Sequence, residues 1–516
     1  RENSGDYIVK PFTIQFDPDS ADTHLRLKVS EGIVVHQGFR AAHAATEIRV
    51  PKPVSTITKT DEVISTDFGN YVKVDYTATS HGFKKAKGLP GTSTNQHTFE
   101  LLNLRDDSAY GPGASIGTAH VRGITEEGTT LKYHLQDIRM APGNAFRMVG
   151  SIGLDSNNFF SPIQENNVTE LYSPTNNTLL FKLPNIRPKT VTIKDLTVQE
   201  RYTGTPNGAG SLTINASPDG TFTNTGDWIA VNDSAPMMVP NFAVALSGSG
   251  PTNKTATITG LKPSTAIEIL TYVQRTSGGS GVAGIRSKTL TSQSFVKLVE
   301  IDPNGTKYVN MGKADIFDVT SVLKTGDSAA GDIQNQFILD DGQRDGYYGY
   351  GRLVLKSGYA NPTSVHITYR YFTHGGAGDC FAVNSYTGQV DYNKIPNFRK
   401  SNGRIINLRD FLDFRSVKDS AYAGAFSGAV HKLPQPTDTI TADIEYYQPQ
   451  FRNLTIDTKG NLRLISGGAG LAPTPPETPD DNFLLYKIKL MANTLNDSDM
   501  ILIKNHAKRY TMKDIG

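Results

Sequence analysis

The chain has 516 residues, a formal net charge of +2 and only 20% charged residues. This balance leaves no electrostatic footprint for nucleic acid or for an anionic membrane surface, so we predict neither partner. No apolar run approaches the roughly 18 residues that a membrane-spanning helix needs, and we predict no membrane insertion. The single cysteine, Cys380, excludes an intrachain disulfide and a cysteine-based zinc site.

Residues 1–60 are predicted to form an N-terminal β unit. Apolar residues alternate with polar ones through YIVKPFTIQF, and a pair of prolines, Pro51 and Pro53, closes the unit. Residues 61–194 are predicted to form a second β-domain. Their clearest strand is TTLKYHLQDIRM, where Leu131 and the apolar residues after it alternate with polar side chains.

Residues 195–297 are predicted to form an immunoglobulin-like or fibronectin III-like module. Glycine- and serine-rich stretches flank it, and TATITGLKPSTAIEILTYVQ resembles the E–F corner of such a sandwich. The corner tyrosine of that motif is replaced by Ile267, so its hydrogen bond to the backbone is missing. Trp228 is the predicted core aromatic residue.

Residues 298–470 are predicted to form a β-domain with an aromatic-rich core. In Ser364–Phe372 the apolar and polar side chains alternate with period two, which indicates a strand. DIFDVTSVLK (315–324) is predicted to be a short helix, LRDFLDF (408–414) a helical turn or a strand, and 458–461 the turn of a hairpin. Residues 471–516 are predicted to be a proline-rich link followed by terminal strands.

Together these patterns predict an all-β, multi-domain chain. We expect several antiparallel sandwich or barrel-like domains, one immunoglobulin/fibronectin III-like sandwich, and very little helix.

Motifs that carry chemistry are few, and each has a structural alternative that we favour. His374 and Cys380 lie six residues apart, but a glycine loop with a buried thiol explains them better than a nucleophile–base pair. DDGQRDG (340–346) has the acidic spacing of a calcium loop without its terminal glutamate. Asp410 and Asp413 lie beside arginines, so ion pairing explains them without acid–base catalysis.

Another near-match is GSGPTNKT (248–255), which resembles a phosphate loop. It has Asn253 where the motif requires glycine, and a predicted strand rather than a helix follows. We therefore predict no catalytic, cofactor-binding or metal-binding residues, no cofactor and no enzymatic activity.

Several motifs in their order and spacing resemble a family of structural virion proteins of contractile-tailed bacteriophages, described as tail, baseplate or tail-fibre-related proteins. They include SGDYIVKPF, SEGIVVHQGFR, IGTAHVRGI, LKYHLQDIRM, DGQRDGYYGYGRLVLK, YRYFTHGGAGDCFAVNSY, INLRDFLDFR, DIEYYQP and KRYTMKDIG. They cover most of 1–190 and 298–516, and 199–297 looks like a guest module. In this family KRYTMKDIG leads into further chain, so we expect the sequence to be a segment of a longer polypeptide. The resemblance carries over no catalytic residues.

This resemblance implies a structural protein of the phage tail, assembled in the host cytoplasm and located in the virion. Its implied partners are other tail or baseplate proteins, and we expect a homo-oligomer, with a trimer favoured. Three aromatic side chains either anchor an interface with a partner or pack within a sheet, and both interpretations stay open: Tyr347, Tyr348 and Tyr350. The alternatives are an adhesin that binds a host-surface glycan or receptor and, third, a tail-associated polysaccharide-degrading enzyme.

Overall fold

The fold is described by a computed structural model. The residues that it describes are 5–17, 24–66, 71–75, 102–106, 113–127, 130–154, 159–162, 178–216, 220–232, 237–238, 242–248, 252–276, 284–302, 304–325, 331–375, 378–400, 403–418, 432–435, 438–491 and 499–507. They form 40 strands, and the helices are short 3₁₀ turns. The predicted all-β, multi-domain fold with very little helix is confirmed.

The chain divides into two units. Unit 1 comprises residues 1–59, 185–190 and 444–516, and unit 2 comprises residues 60–184 and 191–443. Unit 1 therefore combines residues from both ends of the sequence. The five predicted domain ranges stay a prediction.

Unit 1 contains three antiparallel sheets, with strands numbered in chain order. The first contains β1 (Tyr7–Lys10), β4 (Gly32–His36) and β5 (Phe39–His43) in that order. The second contains, in order, β2 (Ile14–Asp17), β3 (His24–Val29) and β6 (Thr46–Pro51). The third contains, in order, β38 (Leu462–Ala469), β37 (Gln450–Asp457), β39 (Asn482–Leu490) and β40 (Met500–Lys504).

These sheets of unit 1 share one apolar core. Along β3 every second side chain is buried, as period two requires. In β39 a register irregularity against β37 places both Leu485 and Tyr486 in the core. The buried members are Phe12, Leu25, Leu27, Val29, Val34, Ala41, Val50, Leu454, Ile456, Phe483, Leu485, Tyr486, Ile488 and Leu490.

The predicted hairpin turn of unit 1 is confirmed between β37 and β38. The Asp457 carboxylate accepts hydrogen bonds from the backbone N–H groups of Lys459 and Asn461, each at 2.9 Å. Gly460 has a φ of 90°, a left-handed conformation that favours glycine.

The region predicted to be an immunoglobulin-like module, residues 195–297, lies in unit 2 and contributes most of its strands to two sheets. The larger sheet contains, in order, β19 (Met237–Met238), β18 (Ile229–Asn232), β22 (Ile267–Thr276), β15 (Pro188–Gly204), β36 (Thr439–Tyr447) and β7 (Thr56–Ser65). Two further strands pair with it: β17 (Thr221–Thr223) pairs with β22, and β35 (Leu433–Pro434) pairs with β15. The smaller contains, in order, β16 (Leu212–Asn215), β21 (Thr255–Thr259) and β20 (Ala243–Leu246). Trp228, the predicted core aromatic residue, is fully buried and lies 5.0 Å from the Phe222 ring, centroid to centroid.

A second pair of sheets in unit 2 carries the centre of the aromatic-rich region. One contains, in order, β23 (Lys288–Leu298), β30 (Ser364–His374) and β26 (Ile316–Lys324). The other contains, in order, β24 (Glu300–Ile301), β25 (Lys307–Ala314), β29 (Tyr350–Leu355) and β27 (Phe337–Asp340). Their shared core is formed by Val309, Met311, Ile316, Val319, Val322, Ile333, Phe337, Leu353, Leu355, Val365, Ile367 and Tyr369.

The short helix predicted over 315–324 is wrong, because this segment is strand β26. Ile316, Val319 and Val322 recur every third residue, which mimics a helical period. Two β-bulges, between Ile316 and Asp318 and between Val319 and Ser321, shift the register of β26 against β30. Each bulge adds a residue to the strand, so all three apolar side chains still reach the core.

The remaining elements of unit 2 are one larger sheet, three strand pairs and the 3₁₀ turns. The sheet contains, in order, β13 (Phe159–Pro162), β12 (Val149–Leu154), β9 (Leu102–Asp106), β10 (Ser115–Glu127), β11 (Thr130–Met140) and β8 (Tyr71–Asp75). The pairs are β14 (Leu180–Lys182) with β33 (Phe411–Asp413), β28 (Tyr347–Tyr348) with β34 (Ser416–Val417), and β31 (Asn397–Arg399) with β32 (Ile405–Asn407). The 3₁₀ turns are Phe146–Met148, Thr225–Asp227, Gln334–Gln336, Val383–Tyr386, Tyr392–Lys394 and Leu408–Asp410.

Candidate functional site

A concentrated group of buried ionisable side chains lies in unit 2, and we call it the buried cluster. Strand pairing explains how it assembles: Lys288 opens β23 directly opposite His374, which ends β30. Tyr348 lies in β28, which pairs in parallel with β34. Strand β34 begins at the residue that follows Arg415. The cluster consists of Lys288, Asp315, Tyr348, His374, Asp413 and Arg415.

Lys288 and Asp315 form the first ion pair of the buried cluster. Lys288 Nζ donates to Asp315 Oδ2 at 2.6 Å, and the two side chains are 0% and 2% exposed. His374 Nε2 lies 2.7 Å from the same oxygen. Asp315 has a φ of 56°, a left-handed conformation that aspartate tolerates better than most residues, and it occupies the connection from β25 to β26.

Four aromatic rings surround the Lys288 ammonium. Its Nζ lies 4.5 to 5.5 Å from the centroids of their rings, close enough for cation–π attraction. The rings are those of Tyr348, Phe372, Phe381 and Tyr386. They offset part of the cost of removing the ammonium from water.

Asp413 and Arg415 form the second ion pair. The carboxylate accepts two hydrogen bonds from the guanidinium, at 2.8 and 3.0 Å, and a third from the Tyr348 hydroxyl at 2.5 Å. Lys288 Nζ also lies 3.3 Å from that hydroxyl, so Tyr348 joins the two ion pairs. Ion pairing of Asp413 with Arg415 was predicted from the sequence and is confirmed.

The two pairs hold the cluster in a defined protonation state. Burial raises the pKa of Asp315, but Lys288 and His374 lower it more, to about 2. Burial lowers the pKa of Lys288, and Asp315 reverses that effect, so the net shift is upward. The pKa of His374 is lowered, chiefly by burial, which keeps its imidazole neutral at pH 7. Burial raises the pKa of the Tyr348 hydroxyl well above its ordinary value.

Cys380 and His374 do not form a nucleophile–base pair. The Cys380 thiol faces the backbone oxygen of Gly284 at 3.6 Å, while the His374 ring faces Asp315. Burial raises the pKa of the thiol well above its ordinary value, so the thiolate that nucleophilic catalysis requires is disfavoured. The interpretation of Cys380 as a small buried side chain is confirmed.

Two of the three acidic residues of DDGQRDG, Asp340 and Asp341, are satisfied within their own turn. Asp340 pairs with Arg344 at 2.7 Å and accepts a hydrogen bond from the Gly342 N–H. Asp341 accepts hydrogen bonds from the backbone and side-chain nitrogens of Gln343. In the described part of the chain, no group of three or more His, Cys, Asp and Glu side chains is arranged to hold a metal ion.

A second buried charge network of unit 2 also joins distant segments. Arg275 bridges the carboxylates of Glu200 and Asp379 at 2.5 and 2.8 Å, and Lys432 lies 3.2 Å from Asp379. The pKa of Asp379 is raised, chiefly by burial. Since each carboxylate faces a cation, the network ties separate strands together.

The three predicted interface tyrosines occupy different environments. Tyr348 is 0% exposed and lies at the centre of the buried cluster, which favours the packing interpretation for this residue. Tyr347 is 8% exposed, and Tyr350 is half-buried. An interface role for these tyrosines stays a prediction.

Sequence reasoning missed Lys288 and Asp315. No local motif marks them, because they are distant in sequence and meet only through strand pairing. The near-match to a phosphate loop is only partly described, since residues 249–251 lie outside the described residues. The strand predicted to follow that near-match is present as β21.

No protein-family model, curated protein or solved structure matches this chain. The resemblance to tail proteins therefore rests on the sequence motifs alone. Among the described residues, no helix combines the length and the apolarity needed to cross a membrane.

Proposed function

We propose that this chain is a non-enzymatic structural component of a bacteriophage tail, at the baseplate or at a fibre attachment. The observation that carries the proposal is the buried cluster, where each ionised carboxylate is matched by an internal cation. Chemistry on a substrate needs groups that can reach it, whereas these groups join strands inside unit 2. The motif resemblance supplies the tail assignment.

The proposed partners are other tail or baseplate proteins and further copies of this chain, with a trimer favoured. Closed symmetry is the usual arrangement of such oligomers. Assembly in the host cytoplasm fits a chain with one cysteine, whose thiol is buried.

A cleft in unit 2 favours an adhesin as the second candidate. It has a volume of about 600 Å³, and its walls include the Phe317 ring and the polar residues Asp318, Asp332 and Asn335. Asp318 is held by Arg370, which also lies over the Phe317 ring at 5.0 Å. An aromatic ring beside carboxylate and amide groups suits a glycan.

Light scattering and negative-stain class averages of the purified chain test the first proposal. We expect elongated trimers or higher assemblies that keep their mass on dilution. A compact monomer at every concentration would contradict the structural role, and glycan-array binding by that monomer would favour the adhesin. The matched control for glycan binding is Phe317→Ala, which removes the ring from the cleft.

A further inference from the structure

We propose that Lys288 and Asp315 become joined by an intramolecular isopeptide bond, an amide between Lys288 Nζ and Asp315 Cγ. The bond would form without another protein, in the interior of unit 2. It would link the first residue of β23 to the connection between β25 and β26.

The reacting groups are already placed. Lys288 Nζ and Asp315 Oδ2 lie 2.6 Å apart, so the amine needs only a small movement to approach Cγ. Backbone pairing fixes Lys288 opposite His374, and the Phe372 N–H donates to the Asp315 carbonyl oxygen at 3.0 Å. Holding two reacting groups in one geometry turns a slow bimolecular condensation into an intramolecular step.

Burial favours the amide over the ion pair. Both side chains are almost completely excluded from solvent, although the four aromatic rings around Nζ offset part of this effect by attracting the ammonium. Condensation replaces two buried charges with a neutral amide, which removes the cost of keeping those charges away from water. The water molecule that the condensation releases leaves this buried site and cannot easily return to hydrolyse the bond.

Neighbouring groups can handle the protons. Before reaction the pair is ionised, and Lys288 passes one proton to Asp315 Oδ2 through their hydrogen bond. The free amine then attacks Cγ, a C–N bond forms, and the C–Oδ2 bond breaks. Tyr348, hydrogen-bonded to Asp413, faces the nitrogen, and His374 faces the leaving oxygen.

The step balances without an oxidant or a co-reactant. An ammonium group and a carboxylate become an amide and one water molecule. The two protons that the nitrogen loses end on Oδ2, which departs as that water. Despite burial, which opposes both shifts, pairing raises the pKa of Lys288 and lowers that of Asp315, so the initial proton transfer is the costly part of the step.

Intact mass spectrometry of the denatured wild-type chain tests the inference. We expect a mass lower than the sequence mass by one water molecule. Tryptic digestion should give one branched peptide in which the Lys288 segment is attached to the Asp315 segment. Cleavage after Lys288 should be lost, because its side chain no longer carries a charge.

Two variants provide matched controls. Asp315→Asn keeps an electrophilic carbonyl, so we expect the bond to form with release of ammonia instead of water. Asp315→Ala removes the carbonyl, so its mass should equal that of its sequence. Full sequence mass and two separate peptides for the wild-type chain would overturn the inference, whatever the variants do.

Discussion

The two units both have apolar cores, but they differ in the amount of charge that they bury. The core of unit 1 is a set of apolar side chains on paired strands, whereas the buried cluster of unit 2 centres on Lys288, Asp315, Asp413 and Arg415. Apolar burial is non-directional and contributes about 25 cal/mol per Å². A buried ion pair roughly offsets its own desolvation, so its main contribution is to specify which groups meet. Unit 1 also buries an ion pair, Arg187 with Asp499, but the buried cluster gives charge a larger part in specifying unit 2.

The largest expected effect is a loss of stability, and it tests the role of the buried charges in unit 2. Asp413→Ala leaves the Arg415 guanidinium buried without its carboxylate, which should lower the free energy of unfolding by about 3–5 kcal/mol. Urea titration followed by Trp228 fluorescence measures it, since Trp228 also lies in unit 2. The double variant Asp413→Leu with Arg415→Met should recover most of the loss. A double variant as unstable as the single one would contradict this account.

On the apolar side, Leu454→Ala opens a cavity in the core of unit 1. We expect a loss of about 2–5 kcal/mol, because the transfer free energy and a cavity are lost together. Hydrogen exchange of the β37 and β39 amides is the direct measurement. The matched control is Ile501→Ala, whose side chain is 48% exposed, with an effect within about 0.5 kcal/mol. Equal effects for the two variants would contradict a close-packed core.

The smallest effect concerns pH. His374 has a pKa below 6.5 in the folded protein, so the unfolded chain takes up the proton first as the pH falls. The urea midpoint should therefore be highest above pH 6.5 and decrease as the pH falls below that value. His374→Gln should flatten this dependence. Asp315 adds a further loss toward pH 2 only in chains where it is not joined to Lys288.

The strands in which apolar and polar residues alternate were predictable because the alternation is visible within a short stretch of sequence. Alternation in Ser364–Phe372 reports burial on one face, and the structure contains β30 there. The strand β26 was predicted wrongly because its two bulges give apolar spacings of three. Bulges depend on the partner strand, so no local window reveals them.

Most contacts of the buried cluster could not be predicted from the sequence, because they too depend on the pairing of distant strands. Asp413 and Arg415 are near neighbours, and their pairing was predicted. Lys288 and Asp315 approach each other only because β23, β30 and β26 form one sheet. Their charges would ordinarily predict exposed positions, since lysine and aspartate are rarely buried unless paired.

The discontinuous chain of unit 1 has a consequence for synthesis. Strands β1 to β6 emerge first, yet their core partners in β37 and β39 follow only after residues 60–443. At roughly 5–20 residues per second the ribosome needs about 20–80 s to make that stretch. During this interval the apolar faces and unpaired edges of the amino-terminal strands remain exposed. We therefore expect a chaperone to shield these strands. The core of unit 1 can therefore be completed only after residues 60–443 have been synthesised.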